Sequence, residues 1–435
     1  MVKKLFIAMN NQLVGIWSQN SNNERFQYVD SWIESKYSRP ISLSMPVIRE
    51  PYKGSVVKHF FSNLIPERTD IIEFIQRKYS IKNKDSFSIL SKIGKDCIGA
   101  IQISENKNQL IEKSYIKANS LTIHQVSQLI KSTRTSTFDT IESYEPYKIS
   151  LTGVQNKLAL LFDEGAWKDP IGTTPSTHIL KLPIESSENL NIFNSVENEW
   201  YCSLLYKAMN MPTPNCEILT FEDEKVLSVE RFDRKRDKKN NIIFRLPQED
   251  FCQVLNVPYF SKYQSDGGPS IFDIMEILND SSDNNDSLLF YKSQILNWLI
   301  SATDGHAKNY SISIERNNSF KLTPFYDVMS FAPYIGNTKG QVHNSKVKLA
   351  MAIKNSSNEN KYKIESIRRE HWDITAKKLN LNVRKYNSMV EEIIETSISN
   401  IKKVNNSLPP TFPSIIAEKI TNEVIKHVDI LKSKY

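Results

Sequence analysis

The chain is poor in the features that mark several large protein classes. Cysteine is scarce, with four in 435 residues (Cys97, Cys202, Cys216, Cys252), scattered without paired metal-ligand spacing. That excludes a zinc ribbon or a disulfide framework and fits a reducing compartment, the cytoplasm. No stretch approaches the roughly 18 uninterrupted apolar residues of a membrane span. The opening, Met1 to Asn10, has the charged start of a signal peptide. Its apolar run is short and meets Asn10-Asn11-Gln12, so it reads as a first strand. No internal repeat or low-complexity tract is present. Excess charge is also small: 56 Lys and Arg against 49 Asp and Glu leave a formal +7. That balance permits contact with nucleic acid without demanding it.

What remains is an ordinary globular composition, 40% hydrophobic and 24% charged, long enough for two or three structural units. Residues 1–104 read as an α/β subdomain. Leu5 to Ala8 and Gln12 to Trp17 suit a hairpin turning at Asn10-Asn11, and Val57 to Phe74 is helical with an interruption at Pro66. A second helix is expected over Ser86 to Gly94 and a strand over Ile98 to Ile103. Residues 105–140 are polar, a linker carrying one amphipathic helix (Ile123 to Lys131) and a Ser/Thr-rich stretch. Residues 141–235 return to β patterns, with a helix from Val196 to Met209. Residues 236–435 are mostly helical, with patterns at Ser293 to Ile300, 362–379, 383–402 and 413–434. The expected class is α+β: a bilobal, protein-kinase-like fold with an N-terminal α/β subdomain and a mostly helical C-terminal lobe.

The strongest signal lies in Ala302-Thr303-Asp304-Gly305-His306-Ala307-Lys308-Asn309. The Asn follows the Asp by five (309 − 304), and Asp327, in Thr323-Pro324-Phe325-Tyr326-Asp327, follows the Asn by eighteen (327 − 309). Protein kinases place a catalytic-loop Asp, an Asn five residues on, and a metal-binding Asp in this order. Phosphoryl transfer needs such a set. Two oxygen ligands hold Mg²⁺ against the triphosphate, while a separate carboxylate orients the attacking hydroxyl. Asp304 is therefore the candidate base, and Asn309 and Asp327 the candidate metal ligands. Each alone also reads as a turn or capping residue. The surrounding letters differ from the usual ones: Ala-Thr-Asp stands for His-Arg-Asp, and Tyr-Asp-Val for Asp-Phe-Gly. His306 and Lys308 sit where phosphate should lie. Zinc is not indicated at His306, because no second His stands at metal spacing.

Lys181, in His178-Ile-Leu-Lys-Leu-Pro, is the candidate phosphate-pairing lysine. A Lys on an apolar strand must snorkel or find an anion, as in the Val-Ala-Ile-Lys strand of kinases. Its partner carboxylate would be Glu197 or Glu199. Ser150-Leu151-Thr152-Gly153-Val154-Gln155-Asn156-Lys157 stands where a phosphate-covering loop belongs. It is not a Walker loop, and its backbone N–H groups and Lys157 are what would cradle phosphate. Glu230-Arg231-Phe232-Asp233-Arg234 ends a strand where the chain should cross between lobes. It reads equally as an adenine-edge hinge, with Phe232 on the ring, or as a salt-bridged strand end.

Together these stretches resemble the HipA family of serine/threonine kinases, toxins of bacterial type II toxin–antitoxin pairs. The resemblance rests on Ser150 to Lys157, Thr177 to Pro183, Val229 to Arg234, Arg245-Leu-Pro-Gln-Glu-Asp250, Tyr263-Gln-Ser-Asp-Gly-Gly-Pro269 and Trp298 to Asn309, and spans almost the whole chain. It implies ATP and Mg²⁺ as cofactors, with Asp304 as base and Asn309 and Asp327 on the metal. Thr152, Gly153, Val154, Gln155, Asn156 and Lys157 would form the phosphate loop with Lys181. Glu230, Arg231 and Phe232 would form the hinge, and His306, Ala307, Lys308 and Tyr326 would complete the nucleotide site. It further implies autophosphorylation on Ser150, which would place a charged group beside a loop built for ATP phosphates and expel it. The family's usual substrate is glutamyl-tRNA synthetase, whose phosphorylation stalls translation and leads to persistence. Its usual partner is a HipB-like helix-turn-helix antitoxin, through which operator DNA is mainly reached. Arg368, Arg369 and Lys363 form a basic cluster that reads as a solvated helix face. Two other readings are a catalytically silent corepressor scaffold and a phosphatidylinositol-kinase-like enzyme. The intact Asp304, Asn309, Asp327 and Lys181 weigh against the first. Against the second, no basic amphipathic helix with aromatic anchors stands out.

Overall fold

A computed structural model describes residues 2–20, 23–112, 115–135 and 155–433 of the chain. The fold is α+β. It comprises two compact units: one contains residues 1–182, 219–260 and 311–320, the other residues 183–218, 261–310 and 321–435.

Two of the first unit's sheets form its larger layers. The N-terminal one is antiparallel, in the order Tyr52–Lys53, Asn23–Tyr28, Gln12–Asn20, Lys3–Met9, Ile101–Ser104. Its first hairpin turns at Asn10 and Asn11, with φ of 45° and 67°, the left-handed pair that a two-residue hairpin requires and that Asn tolerates. Helices Ser55–Ser62, Thr69–Lys78 and Ser86–Ile93 belong to the same subdomain, and the chain between the first two contains Pro66, as expected. The core centres on Trp17, which stacks on Phe61 with ring centroids 3.7 Å apart and meets Phe87 edge-on at 4.8 Å. Fully burying each such ring contributes about 1.5–3 kcal/mol or more.

The second sheet of this unit runs Ala118–Ser120, Ala166–Pro170, Lys157–Asp163, His178–Lys181, Glu224–Glu230, with Cys216–Phe221 at its edge. Helix Ile123–Thr135 buries Val126, Leu129 and Ile130 in one cluster with Leu158, Leu160, Leu180, Leu182 and Val226. The described part of the segment read as a linker is thus part of this lobe: it supplies an edge strand and a helix that caps the sheet. Three apolar residues at helical spacing outweigh its polar average.

In the second unit, helix Asp286–Leu299 is buried along most of its length. The Tyr291 hydroxyl donates to Trp372 O at 2.7 Å and Trp298 Nε1 to Ile364 O at 3.2 Å. Around it stand helices Ser195–Ala208, Ile271–Leu278, Arg369–Lys378, Val383–Asn406 and Ser414–Lys432. The helix expected over 362–379 starts only at Arg369. Before it, Asn360–Lys363 pairs antiparallel with Lys348–Lys354, whose side chains are buried from Leu349 to Ile353.

Candidate active site

Helix Asp286–Leu299 stops where the site begins. Ser301 adopts φ 54°, Ala302 N–H donates back to Asn297 O at 2.7 Å, and the chain leaves the helix axis. Two backbone bonds then tighten the loop: His306 N–H donates to Asp304 O at 2.7 Å and Asn309 N–H to His306 O at 2.9 Å. The Asn309 side chain closes it, its Nδ2 donating to Asp304 O at 2.7 Å. The five-residue spacing thus becomes one hydrogen-bonded turn. It presents the Asp304 side chain, 57% exposed, while His306, Lys308 and Asn309 are buried.

The loop rests on a buried polar shelf. The Asn297 amide donates to the Tyr310 hydroxyl at 2.8 Å, Gln294 donates to the same oxygen at 2.9 Å, and the Tyr206 hydroxyl donates to Asn297 Oδ1 at 2.6 Å. Burial pushes both phenols above their ordinary value, so they stay neutral hydrogen-bonding groups. Gly305 lies directly on the shelf. A Cβ there would come within 2.6 Å of Asn297 Nδ2 and 3.0 Å of the Tyr310 hydroxyl, so only glycine allows this approach.

Asp327 arrives from the other side. The Tyr326 hydroxyl donates to Lys308 O at 3.0 Å, fastening this segment to the loop of Asp304. Asp327 itself has φ 60°, a left-handed conformation in which a non-glycine residue is held by its surroundings. Those surroundings are three residues on. Ser330 N–H donates to Asn198 Oδ1 at 3.1 Å, Asn198 Nδ2 donates to Ser330 O at 2.8 Å, and the Ser330 hydroxyl donates to Ile300 O. Asp304, Gly305, Asn309, Tyr326 and Asp327 line one pocket with Asn297 and Tyr310. Among the described residues no group of three or more His, Cys, Asp and Glu is placed to cage a metal. Asn309 and Asp327 instead offer an amide and a carboxylate oxygen. That sparse set suits Mg²⁺, which takes its other ligands from phosphate and water.

In the first unit, Lys157 and Lys181 lie directly opposite one another in antiparallel strands, so both side chains leave the same face of the sheet. Leu182 N–H donates to Asn156 O at 3.0 Å and the Gln155 amide to Leu182 O at 2.7 Å, anchoring this strand start. Asn156 Oδ1 is engaged by Arg68. Ser150, Thr152, Gly153 and Val154 lie outside the described residues. Glu197 and Glu199 are both buried on helix Ser195–Ala208, so burial does not separate them.

At Glu230 to Arg234 the side chains favour the salt-bridged strand end. The Arg231 guanidinium is buried against Asp233 at 2.8 Å and donates to the Ser176 hydroxyl at 2.9 Å. Arg234 and Arg245 meet Asp96 at 2.8 and 2.9 Å. The Arg231 backbone N–H is also used, donating to Thr177 O at 2.8 Å. Similarly, Arg369 of the basic cluster is buried, pairing Asp373 at 2.9 Å and donating to Leu431 O at 3.2 Å, so it is not part of a solvated face.

Sequence reasoning assigned no role to Tyr263, whose hydroxyl donates to Asp304 Oδ1. It stands in a stretch marked only for its resemblance. Asn198 and the Asn297–Tyr310 shelf went unnoticed, because polar residues on buried helices carry no pattern of their own.

Two family models match the chain: that of the HipA N-terminal domain over residues 5–104, and that of the HipA-like C-terminal domain over residues 149–401. A protein of Sinorhizobium fredii whose name carries the word kinase (Y4mE) is 29% identical over 337 residues, 77% of this chain and 78% of its own. The serine/threonine-protein kinase toxin HipA of Shewanella oneidensis is 26% identical over 338 residues, 74% of each chain. A solved structure of the Shewanella oneidensis HipA, HipB and operator DNA complex superposes with a TM-score of 0.81 at 22% identity. It covers 99% of this chain and 100% of that one, and establishes a shared fold.

Proposed function

Since the chain belongs to the HipA family of serine/threonine-protein kinase toxins, we propose that it moves the γ-phosphoryl group of ATP onto a protein serine, with Asp304 as base and Asn309 and Asp327 as Mg²⁺ ligands. One observation carries this reading: these three residues line a single pocket, with Asn309 bound to the backbone of Asp304. The exposed Asp304 carboxylate takes the proton of the acceptor hydroxyl as its oxygen attacks the γ-phosphorus and the bond to the β–γ bridging oxygen breaks. Bound Mg²⁺ supplies charge neutralisation at the phosphates. Asp327 is held in its left-handed conformation with its carboxylate committed to that task, and Asn309 serves as both loop closure and ligand.

Lys157 and Lys181 hold phosphate oxygens together with the loop from Thr152 to Asn156. In the second unit, His306, Ala307 and Lys308 serve the nucleotide, and Tyr326 fixes Lys308 through its backbone. Glu230 and Phe232 take the adenine edge. Arg231 contributes no side chain there, because its guanidinium is committed to Asp233 and Ser176. We assign to the chain a HipB-like antitoxin partner, with operator DNA reached mainly through it, and glutamyl-tRNA synthetase as substrate. The Shewanella oneidensis assembly of HipA, HipB and operator DNA supports the partner, and the substrate is the usual one of the family this chain resembles, a choice that no motif of the chain marks. We place the reaction in the cytoplasm; no helix among the described residues is long and apolar enough to cross a membrane.

The test is transfer of radiolabel from ATP with Mg²⁺ into purified glutamyl-tRNA synthetase, wild type against Asp304→Asn. The amide keeps the shape and removes the base, so transfer should fall by about 10²–10⁴-fold. Equal labelling by both proteins would remove Asp304 from the role. Label confined to the chain itself, and lost in Ser150→Ala, would keep the reaction, identify Ser150 as its acceptor and discard the synthetase.

A further inference from the structure

Charge is not spread evenly along this chain. Residues 339–368 hold seven lysines and arginines against two acids, Glu359 and Glu365, a balance of +5 (7 − 2); the rest of the chain carries only +2 (7 − 5). Most of this segment is the hairpin of strands Lys348–Lys354 and Asn360–Lys363 with its flanking turns. Lys348 and Lys363 stand directly opposite one another in it, both exposed, so both ammonium groups leave the same face. Asn344 Nδ2 donates to Glu365 Oε2 at 3.1 Å and Ile364 N–H to Val347 O at 3.1 Å, which seats the exposed Lys346 beside this pair. The two acids do not answer these cations. Glu359 is taken by the Asn355 amide at 2.7 Å and Glu365 by Asn344. Among the described residues no carboxylate forms an ion pair with Lys346, Lys348 or Lys363. Like charges directly opposite one another destabilise a hairpin, and an anionic partner would remove that penalty.

This face is tied to the pocket of Asp304. Ala352 N–H, on the strand of Lys348, donates to Gln264 Oε1 at 2.7 Å, and Ala307 N–H, on the loop of Asp304, donates to Lys262 O at 3.4 Å. Residues 262–264 therefore join the two. Their loop is tight, with Asp266 N–H and Gly268 N–H both donating to Tyr263 O, at 3.0 and 2.9 Å. Resting on the kinase reading above, we propose that the face centred on Lys348 and Lys363 docks an acidic segment of the protein substrate, so that the enzyme selects serines lying near clustered Asp and Glu. Position chooses this partner among polyanions. A nucleic acid gains nothing from lying beside a phosphoryl-transfer pocket, whereas a substrate must lie there for its hydroxyl to reach the base. The cations also suit a segment of variable sequence, because a lysine ammonium on a flexible stem takes a carboxylate in many positions. Arg368, the exposed arginine of the segment, turns its guanidinium onto Glu365 O and Ile367 O at 2.7 and 2.9 Å. Such a surface steers and holds the substrate without touching the reacting atoms, so it acts on KM for the protein and leaves the chemical step alone.

The probes are two short fluorescent peptides, each with one serine flanked either by glutamates or by glutamines, and a short DNA duplex. Anisotropy at low salt compares wild type, Lys348→Glu with Lys363→Glu, Lys348→Gln with Lys363→Gln, and, as a control for charge alone, Lys402→Gln with Lys403→Gln. Wild type should bind the glutamate peptide and not the glutamine one. The Gln pair should weaken that binding about three- to tenfold and the Glu pair further, while the Lys402 and Lys403 control leaves it unchanged. The Gln pair also removes a repulsion, so its melting temperature should be no lower than that of wild type, which separates lost binding from lost fold. Label transfer from ATP·Mg²⁺ to the glutamate peptide should show the same ratio in the KM for the peptide, with kcat and the KM for ATP unchanged. Equal affinity of wild type and both lysine-pair variants for the glutamate peptide would overturn the proposal. So would a duplex bound more tightly than the peptide through the same lysines, which would make this a nucleic-acid surface. A glutamate peptide that binds but takes no label, from a chain that labels itself, would overturn it too. Wild type transferring no more label than Asp304→Asn, to peptide or to itself, would instead remove the kinase reading, and the docking role with it.

Discussion

Replacing Asp96 by Asn should cost the first unit a large share of its stability. Asp96 is buried and faces three guanidinium groups, Arg234 at 2.8 Å, Arg245 at 2.9 Å and Arg231 at 3.6 Å. Its Oδ2 also accepts from the Ser176 N–H at 3.0 Å and hydroxyl at 2.8 Å. Burial alone would raise its pKa. Arg234, Arg245 and Arg231 together outweigh burial and hold the carboxyl well below the usual range. The strain on the cations is visible at Arg234, which burial and the nearby Arg231 bring down to about 10. Three arginines against Asp96 and Asp233 leave one net positive charge; the amide leaves two, with the same shape and one acceptor oxygen. Breaking a buried pair from one side costs about 3–5 kcal/mol. At roughly 2–4 °C per kcal/mol for a unit of this size, the melting temperature should fall by about 6–20 °C. Calorimetry at pH 7.5 reads this directly, and 0.5 M salt should leave the gap open, since buried pairs are poorly screened. Adding Arg245→Met restores the original charge and should recover part of the loss. The sign with pH follows from a depressed carboxylate pKa. The contribution is whole above the unfolded value of 3.8 and lost as pH falls below it, so the gap to wild type narrows below about pH 4. A fall of less than about 2 °C, or a double variant no better than the single one, would refute the account.

Glu249 is buried, and burial pushes its carboxyl up to about 8. A folded-state pKa above the unfolded 4.5 means stability is lost as pH rises between them, so Glu249→Gln should be near neutral at pH 5 and stabilising by a few kcal/mol at pH 8.5. Its amide oxygen keeps the 2.7 Å bond from Leu43 N–H, and urea titrations at the two pH values give the comparison. Gly305→Ala places a methyl 2.6 Å from Asn297 Nδ2, so the catalytic loop must lift off its shelf. Phosphoryl transfer should drop on the order of a hundredfold while the melting temperature stays close to wild type; an Ala variant with full rate would show that the loop tolerates displacement.

That the three residues proposed as base and metal ligands line one pocket was legible because it follows from a spacing. Asp304, Asn309 and Asp327 keep their order and separation even where the neighbouring letters differ from those of other kinases. The hairpin at Asn10-Asn11 was legible for the same local reason. Tyr263 was not, because a bond across 41 residues leaves no period in the sequence. At Arg231 and Asp233 the difficulty was of another kind. A charged strand end looks the same whether it faces a nucleotide or an opposite charge, and only the position of Asp96 decides. Residues 362–368 have a helical pattern, yet they begin in a hairpin strand, because Lys348–Lys354 offers a pairing edge that no local propensity announces.

These cases divide the family's most recognisable letters into two kinds. In the second unit, Asp304, Asn309, Asp327 and Gly305 meet at the pocket where the proposed chemistry would lie. In the first unit, Asn156, Asp233, Arg231, Arg234, Arg245 and Glu249 are tied to the N-terminal subdomain. Arg68 holds Asn156, Gly99 N–H donates to Asp233 at 2.8 Å, and Asn10 accepts from Arg245 N–H at 2.9 Å and donates to Arg245 O at 2.8 Å. Leu43 N–H meets Glu249, and Asp96 faces all three arginines. The N-terminal subdomain is therefore a structural component of this kinase unit, not an appendage to it. Without it Arg231, Arg234 and Arg245 would all lose Asp96 while buried, with Asp233 left to pair Arg231 and Arg234, a loss no surface contact could offset. Letters that carry the family resemblance in the sequence are, at these positions, also the joint that holds the first unit together.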